Sequence, residues 1–175
     1  MSALFGGAAA LMLTSLGAGK DKAKFATSLF DLLTRQFPTL SVKARVLIIA
    51  HAAYESGWGL LSNARAQSNN IFNITAGPAW SGLTAQGTDT DGAGKSIAQR
   101  WRVYPSLDAA VKDYWLFLGG SRYLSARTEL VNQADPTQFA TLLRAGGYFT
   151  APLSSYASTL TNLRNEVARI LKVTV

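Results

Sequence analysis

The sequence predicts an α+β domain that is mostly helical, with one small β-rich excursion near its middle. Apolar residues recur at helical spacing in the first third of the chain and again after Ser106. Serine, aspartate and glycine stand where such helices would begin and end. Between Ser62 and Tyr104 the texture changes to short segments rich in β-branched and aromatic residues around a glycine-rich connection.

In "KDKAKFATSLFDLLTRQFP", Phe25, Leu29, Leu32, Leu33 and Phe37 define an amphipathic helix that Pro38 closes. Ser41 is a plausible N-cap for "VKARVLIIAHAAYESGWGLL", which is apolar on almost every face from Val46 to Ala53. A helix apolar all round is a buried one, and Gly57 and Gly59 should end it. "NIFNITAG" and "SIAQRWRVY" read as two strands around "GPAWSGLTAQGTDTDGAGKS", a connection with room for a further short strand. Ser106 caps "SLDAAVKDYWLFLGG", with Asp108 in its first turn and Gly119 and Gly120 as its stop. "DPTQFATLLRAGG" repeats that syntax with Asp135, Pro136, Gly146 and Gly147, and a last helix runs from about Ser154 to Lys172.

A chain of 175 residues, 48% hydrophobic and 15% charged, is enough for one compact domain. The expected organisation is an apolar N-terminal arm at residues 1–20 and a single domain at 21–175. The arm either packs on the domain or a neighbouring chain, or is a signal-like or weakly membrane-tethering segment. Its glycines and short length argue against a spanning helix. The formal charge of +7 favours an anionic partner. The basic residues are scattered singly, however, without the run expected of a nucleic-acid tail or a polybasic anchor. With no cysteine and one histidine, a protein-held zinc centre lacks ligands, and no metal or cofactor is expected.

Glu55 is the oddly placed charge. It projects from the apolar helix in line with Ile48 and Ala52, near the helix C-terminus, beside a stripe formed by Leu47, His51, Tyr54 and Trp58. Burial and the negative pole of the helix both disfavour its ionised form, so a proton should be retained. That suits a general acid for glycosidic bond cleavage. A structural ion pair with Arg45 or another cation is the alternative reading. His51, four residues earlier, is either a packed core histidine or a partner of Glu55. The zinc-protease spacing is absent.

At these residues the sequence resembles the glucosaminidase family, glycoside hydrolase family 73, in several blocks. "IIAHAAYESGWG" resembles its signature helix, "NNIFNIT" its Asn-Leu-Phe-Gly-Ile-Lys block, and "RWRVYPSLDAAVKDYWLFL" its Phe-Arg-x-Tyr segment and following helix. "RYLSA" and "AGGYFTAPLSSYASTL" are similar to its Ala-Gly-Tyr region. The resemblance runs from about Asp21 to Leu171. It implies a lysozyme-like fold, with a large helical lobe and a small β-rich lobe across a substrate groove. It also implies Glu55 as catalytic acid and places Asn70, Tyr104, Tyr148 and Tyr156 at family motif positions. Tyr104 is expected in the catalytic set, and Asn70, Tyr148 and Tyr156 on the substrate. Trp80, in the polar glycine-rich loop, is the candidate sugar platform, whereas Trp58, Trp101 and Trp115 are expected in the core.

Two departures stand out. Where family members carry a second glutamate, this chain reads "QGTDTDGAGKS", with Asp89 and Asp91 each one residue from the aligned positions. Either could be the second carboxylate, or serve a turn. The family's glycine and lysine in the strand-like block are Asn73 and Thr75 here.

The implied function is cleavage of a β-1,4 bond in peptidoglycan glycan strands, as an endo-β-N-acetylglucosaminidase acting as a monomer. The implied place of action is the cell wall, in the periplasm or outside the cell, and a phage endolysin or small autolysin fits the architecture. A lytic transglycosylase or a muramidase would share the fold and a lone glutamate. A silent wall-binding, virion or flagellar module is the non-enzymatic rival, and a nucleic-acid binder would leave Glu55 unexplained.

Overall fold

A computed structural model describes residues 22–59, 68–90 and 95–175. The expected arm at residues 1–20 and one candidate carboxylate, Asp91, lie outside them. Among the described residues the order is α1 (Lys22–Gln36), α2 (Val42–Ser56), β1 (Thr84–Thr90), β2 (Ser96–Arg102), α3 (Leu107–Leu118), α4 (Leu124–Asn132), α5 (Pro136–Ala145) and α6 (Leu153–Leu171). No helix among them is long and apolar enough to cross a membrane.

Helix α2 is the axis of the domain. Every residue from Ala44 to Ala53 is buried, and α1, α4 and α6 pack around it. Leu47, Ile48 and Ile49 are each at most 1% exposed. Burying side chains of this size contributes roughly 1.5–3 kcal/mol apiece. The helix begins where Ser41 Oγ accepts from the Ala44 amide at 3.1 Å. It ends at Gly57, whose φ of 56° is the left-handed conformation that only glycine adopts without cost. Gly57 and Trp58 both donate their backbone N–H to Ala53 O, while the Trp58 ring meets Phe25 edge-on at 5.8 Å. The last turn, which carries Glu55, is therefore pinned from two sides.

The expected caps at Ser106 and Asp135 accept from the Ala109 and Gln138 amides, and Pro136 opens α5. Removing one such cap costs about 1 kcal/mol. We expect Asp135→Ala to lower the melting temperature by a few degrees without changing activity, as calorimetry would read.

The β lobe differs from expectation. The partner of the "SIAQRWR" strand is "TAQGTDT", inside the glycine-rich connection, in an antiparallel register from Thr84↔Arg102 to Thr90↔Ser96. "NIFNITAG" forms turns instead, joined to β2 by one isolated bridge, Thr75↔Trp101. The reason is visible in the backbone. Asn69 and Asn73 have φ of 54°, which breaks an extended run, and the apolar side chains Ile71, Phe72 and Ile74 are all buried rather than alternating. Helix α4 was not anticipated, because its few apolar residues and uncapped start at Tyr123 leave little pattern to read.

Candidate active site

Glu55 lies where the last turn of α2 meets the 69–76 turns and α6, its side chain 10% exposed. Tyr156, on the first turns of α6, donates its hydroxyl proton to Glu55 Oε1 at 2.6 Å. Asn73 approaches the other oxygen, Oε2, with a long 3.5 Å contact from Nδ2. The family's glycine at this position is explained by the left-handed backbone, which asparagine also tolerates. Asparagine adds an amide beside the acid. Arg45, one alternative partner, instead donates to the carbonyls of Phe37 and Pro38, so that pairing falls away, whereas His51 Nε2 stands 3.5 Å from Glu55 Oε1.

Beneath Glu55 lies a wall of aromatic rings. Tyr156 stacks on Phe149 with centroids 3.7 Å apart and touches the half-buried Tyr54 at 4.4 Å. Phe72 stacks on Tyr114 at 3.8 Å. Burial, then the Glu55 charge, pushes the hydroxyls of Tyr54, Tyr114, Tyr148 and Tyr156 up from the ordinary tyrosine value. They remain protonated and serve as hydrogen-bond donors across the range in which a carboxyl group titrates. His51 is fully buried among these rings, with Nδ1 2.8 Å from the Tyr114 hydroxyl and Nε2 2.9 Å from that of Tyr156. It is a packed core histidine and a neighbour of the acid at once.

Three residues expected at the site have structural tasks. Asn70 is 4% exposed. Its amide donates to the carbonyls of Ile74 and Arg102 at 2.8 and 3.0 Å, and its oxygen accepts from the Ile74 N–H at 2.9 Å. It braces the turn rather than presenting its amide to a sugar. Tyr104 is buried and donates to Asp113 Oδ2 at 2.6 Å, an oxygen also held by Arg102 at 2.7 Å. Burial and the Asp113 carboxylate raise this hydroxyl too. Its role is to tie the base of the hairpin to α3. The hydroxyl of Tyr148, half-buried, donates to Phe72 O and so clamps the turn carrying Asn73 against the helical lobe.

Trp80 is half-buried. Arg102 covers its ring at 4.7 Å, the Tyr104 ring meets it edge-on at 5.6 Å, and its Nε1 donates to Leu83 O. A side chain at Gly82 would stand 2.4 Å from the indole, so glycine is required there. Trp58 and Trp101 are buried as expected, and Trp115 packs against the core from outside. Asp89 is half-buried on β1 opposite Ile97, near the hairpin tip, on the same sheet face as Trp101. Sequence reasoning missed Tyr54, Tyr114 and Asp113. The only available sign for the tyrosines was their helical spacing, which equally describes a core.

The sequence and the fold are similar to those of known proteins. A family model described as mannosyl-glycoprotein endo-beta-N-acetylglucosaminidase matches residues 36–169. The peptidoglycan hydrolase FlgJ of Pseudomonas aeruginosa is 32% identical over 136 residues, which are 74% of this chain and 33% of FlgJ. FlgJ of Salmonella typhimurium is 36% identical over 124 residues, 67% of this chain and 37% of that protein. The chain thus spans about a third of the length of these relatives. A peptidoglycan hydrolase from Sphingomonas sp. A1 superposes with a TM-score of 0.69 at 30% identity, covering 86% of this chain and 93% of that one. With the family model spanning α2, the hairpin and most of α6, the chain belongs to the glucosaminidase family of glycoside hydrolases.

Proposed function

We propose that the chain is a peptidoglycan hydrolase that cleaves a β-1,4 bond of the glycan strand as an endo-β-N-acetylglucosaminidase, with Glu55 as its general acid. The observation that carries this reading is the Glu55 carboxyl between the lobes, with one oxygen bonded by Tyr156 and the other turned to the Asn73 side. Glu55 gives its proton to the bridging oxygen as the C1–O bond breaks, and the bonding pair leaves with the departing sugar. A water then supplies the hydroxyl at C1 and gives up a proton. Asp89 or Asp91 is the proposed base for that water, on the opposite face of the sugar. The two carboxyl groups would then stand ~6.5–9.5 Å apart, the spacing of an inverting enzyme. Tyr54 and the face of Trp80 away from Arg102 are the proposed stacking surfaces for pyranose rings.

Mass spectrometry of muropeptides released from purified sacculi tests the reading. Hydrolysis gives products that have gained water and end in reducing N-acetylglucosamine. Anhydro-muramic ends would indicate a transglycosylase, and reducing muramic ends a muramidase. The proposed site of action is the cell wall, on its periplasmic or outer side, and the net charge of +7 is expected to assist approach to acidic wall polymers. Because salt screens such attraction, lysis should slow as ionic strength is raised, through weaker binding rather than a slower bond-breaking step. Turbidity assays across a salt series would show this.

A further inference from the structure

The buried hydrogen bonds around His51 have one consistent polarity. The Tyr114 hydroxyl is enclosed in the core, and His51 Nδ1 is the acceptor in reach at 2.8 Å. A buried O–H without an acceptor is costly, so Tyr114 donates and Nδ1 carries no hydrogen. The ring hydrogen is then on Nε2, which donates to the Tyr156 oxygen at 2.9 Å. With that lone pair engaged, the Tyr156 hydrogen turns to Glu55 Oε1, 2.6 Å away. Each donor in the series Tyr114, His51, Tyr156 has an acceptor, and the series ends on the carboxyl group. The opposite polarity would strand the Tyr114 hydrogen.

We propose that His51 is a positioning residue for the reaction: its Nε2–H holds the Tyr156 hydroxyl as a donor to Glu55 Oε1, which leaves Oε2 as the oxygen that carries the transferred proton. The proposal rests on Glu55 being the general acid. Oε1 accepts from Tyr156 before and after transfer, so the carboxylate left behind is stabilised without rearrangement. A chain of bonds pointing one way polarises each member, strengthening the last donor. The titratable groups facing His51 are Tyr114 from α3, Tyr156 from α6 and Tyr148 from the segment before it, with Glu55 on its own helix. Phe72 and Phe139 complete its surroundings.

Two measurements test it. The chain has a single histidine, so selective nitrogen-15 labelling reports one ring. A hydrogen on Nε2 and a bare Nδ1 at neutral pH are expected. A hydrogen on Nδ1, or on both nitrogens, overturns the proposal. The second measurement compares His51→Gln with His51→Met, the latter combined with Tyr114→Phe so that no buried hydroxyl is stranded. Glutamine can accept from Tyr114 and donate to Tyr156, so it should keep the saturating rate within about threefold, since the bonding polarity is unchanged. The methionine variant should lose about tenfold or more, the scale of a charge-assisted hydrogen bond. A purely structural His51 would change the folded fraction and leave the saturating rate per folded molecule unchanged, and that outcome overturns the proposal, as does a glutamine variant as impaired as the methionine one. If Glu55→Gln remains active, the reading of Glu55 itself fails. If Glu55→Gln is inactive while the ring carries its hydrogen on Nδ1, only the role of His51 fails.

Discussion

Glu55→Gln is expected to slow sacculus lysis by about 10²–10⁴-fold, the range that a positioned general acid contributes. The amide matches the carboxyl in shape, and its carbonyl oxygen still accepts the Tyr156 hydrogen that reaches Oε1 at 2.6 Å. What it lacks is a proton to give to the bridging oxygen. The fold should survive, because the helix end is held by Gly57, Trp58 and the buried faces of α2, not by the charge. Turbidity clearing and a thermal melt on the same preparation separate the two effects. Undiminished clearing by a folded Glu55→Gln protein would sink the general-acid assignment.

Asn70→Ala should destabilise the protein by about 2–4 kcal/mol, because it strands the buried Ile74 N–H and removes two further bonds that hold the turn to β2. Ile74 O keeps a partner in the Arg102 amide, which is why the cost stops short of three full bonds. Each kilocalorie lowers the melting temperature of a domain this size by about 2–4 °C. A sugar-binding Asn70 would give the reverse pattern, an unchanged melt with a raised KM. Denaturation and kinetics on the one variant choose between the two roles.

The helical lobe was legible because its elements carry local signals. The caps at Ser41, Ser106 and Asp135, the proline opening α5 and the glycine ending α2 are all used as their chemistry suggests. The family resemblance was legible in the same blocks, and with it the position of Glu55. The β lobe was not. "NIFNITAG" has the composition of a strand, but Asn69 and Asn73 take left-handed backbone, and tertiary burial rather than alternation decides where Ile71, Phe72 and Ile74 point. "TAQGTDT" has the composition of a loop, yet pairs along its whole length with β2. The tasks of Asn70, Tyr104 and Tyr148 were hidden for a related reason. Their polar atoms act on backbone carbonyls and on Asp113, partners far along the chain that no local pattern announces.

The hairpin touches the rest of the domain mainly at its base, through Trp101 and the Arg102–Asp113–Tyr104 cluster, while most of β2 toward its tip is exposed. A two-stranded ribbon has little stability of its own. Opening it should therefore cost far less than unfolding α2, whose amides are sealed in the core. The two parts thus belong to different tiers of stability: Glu55 stands at the end of a helix sealed in the core, and the hairpin is an element that opens at far lower cost. On the proposed reading, a hairpin that gives way while α2 stays fixed would accommodate a long glycan polymer without displacing the Glu55 carboxyl group.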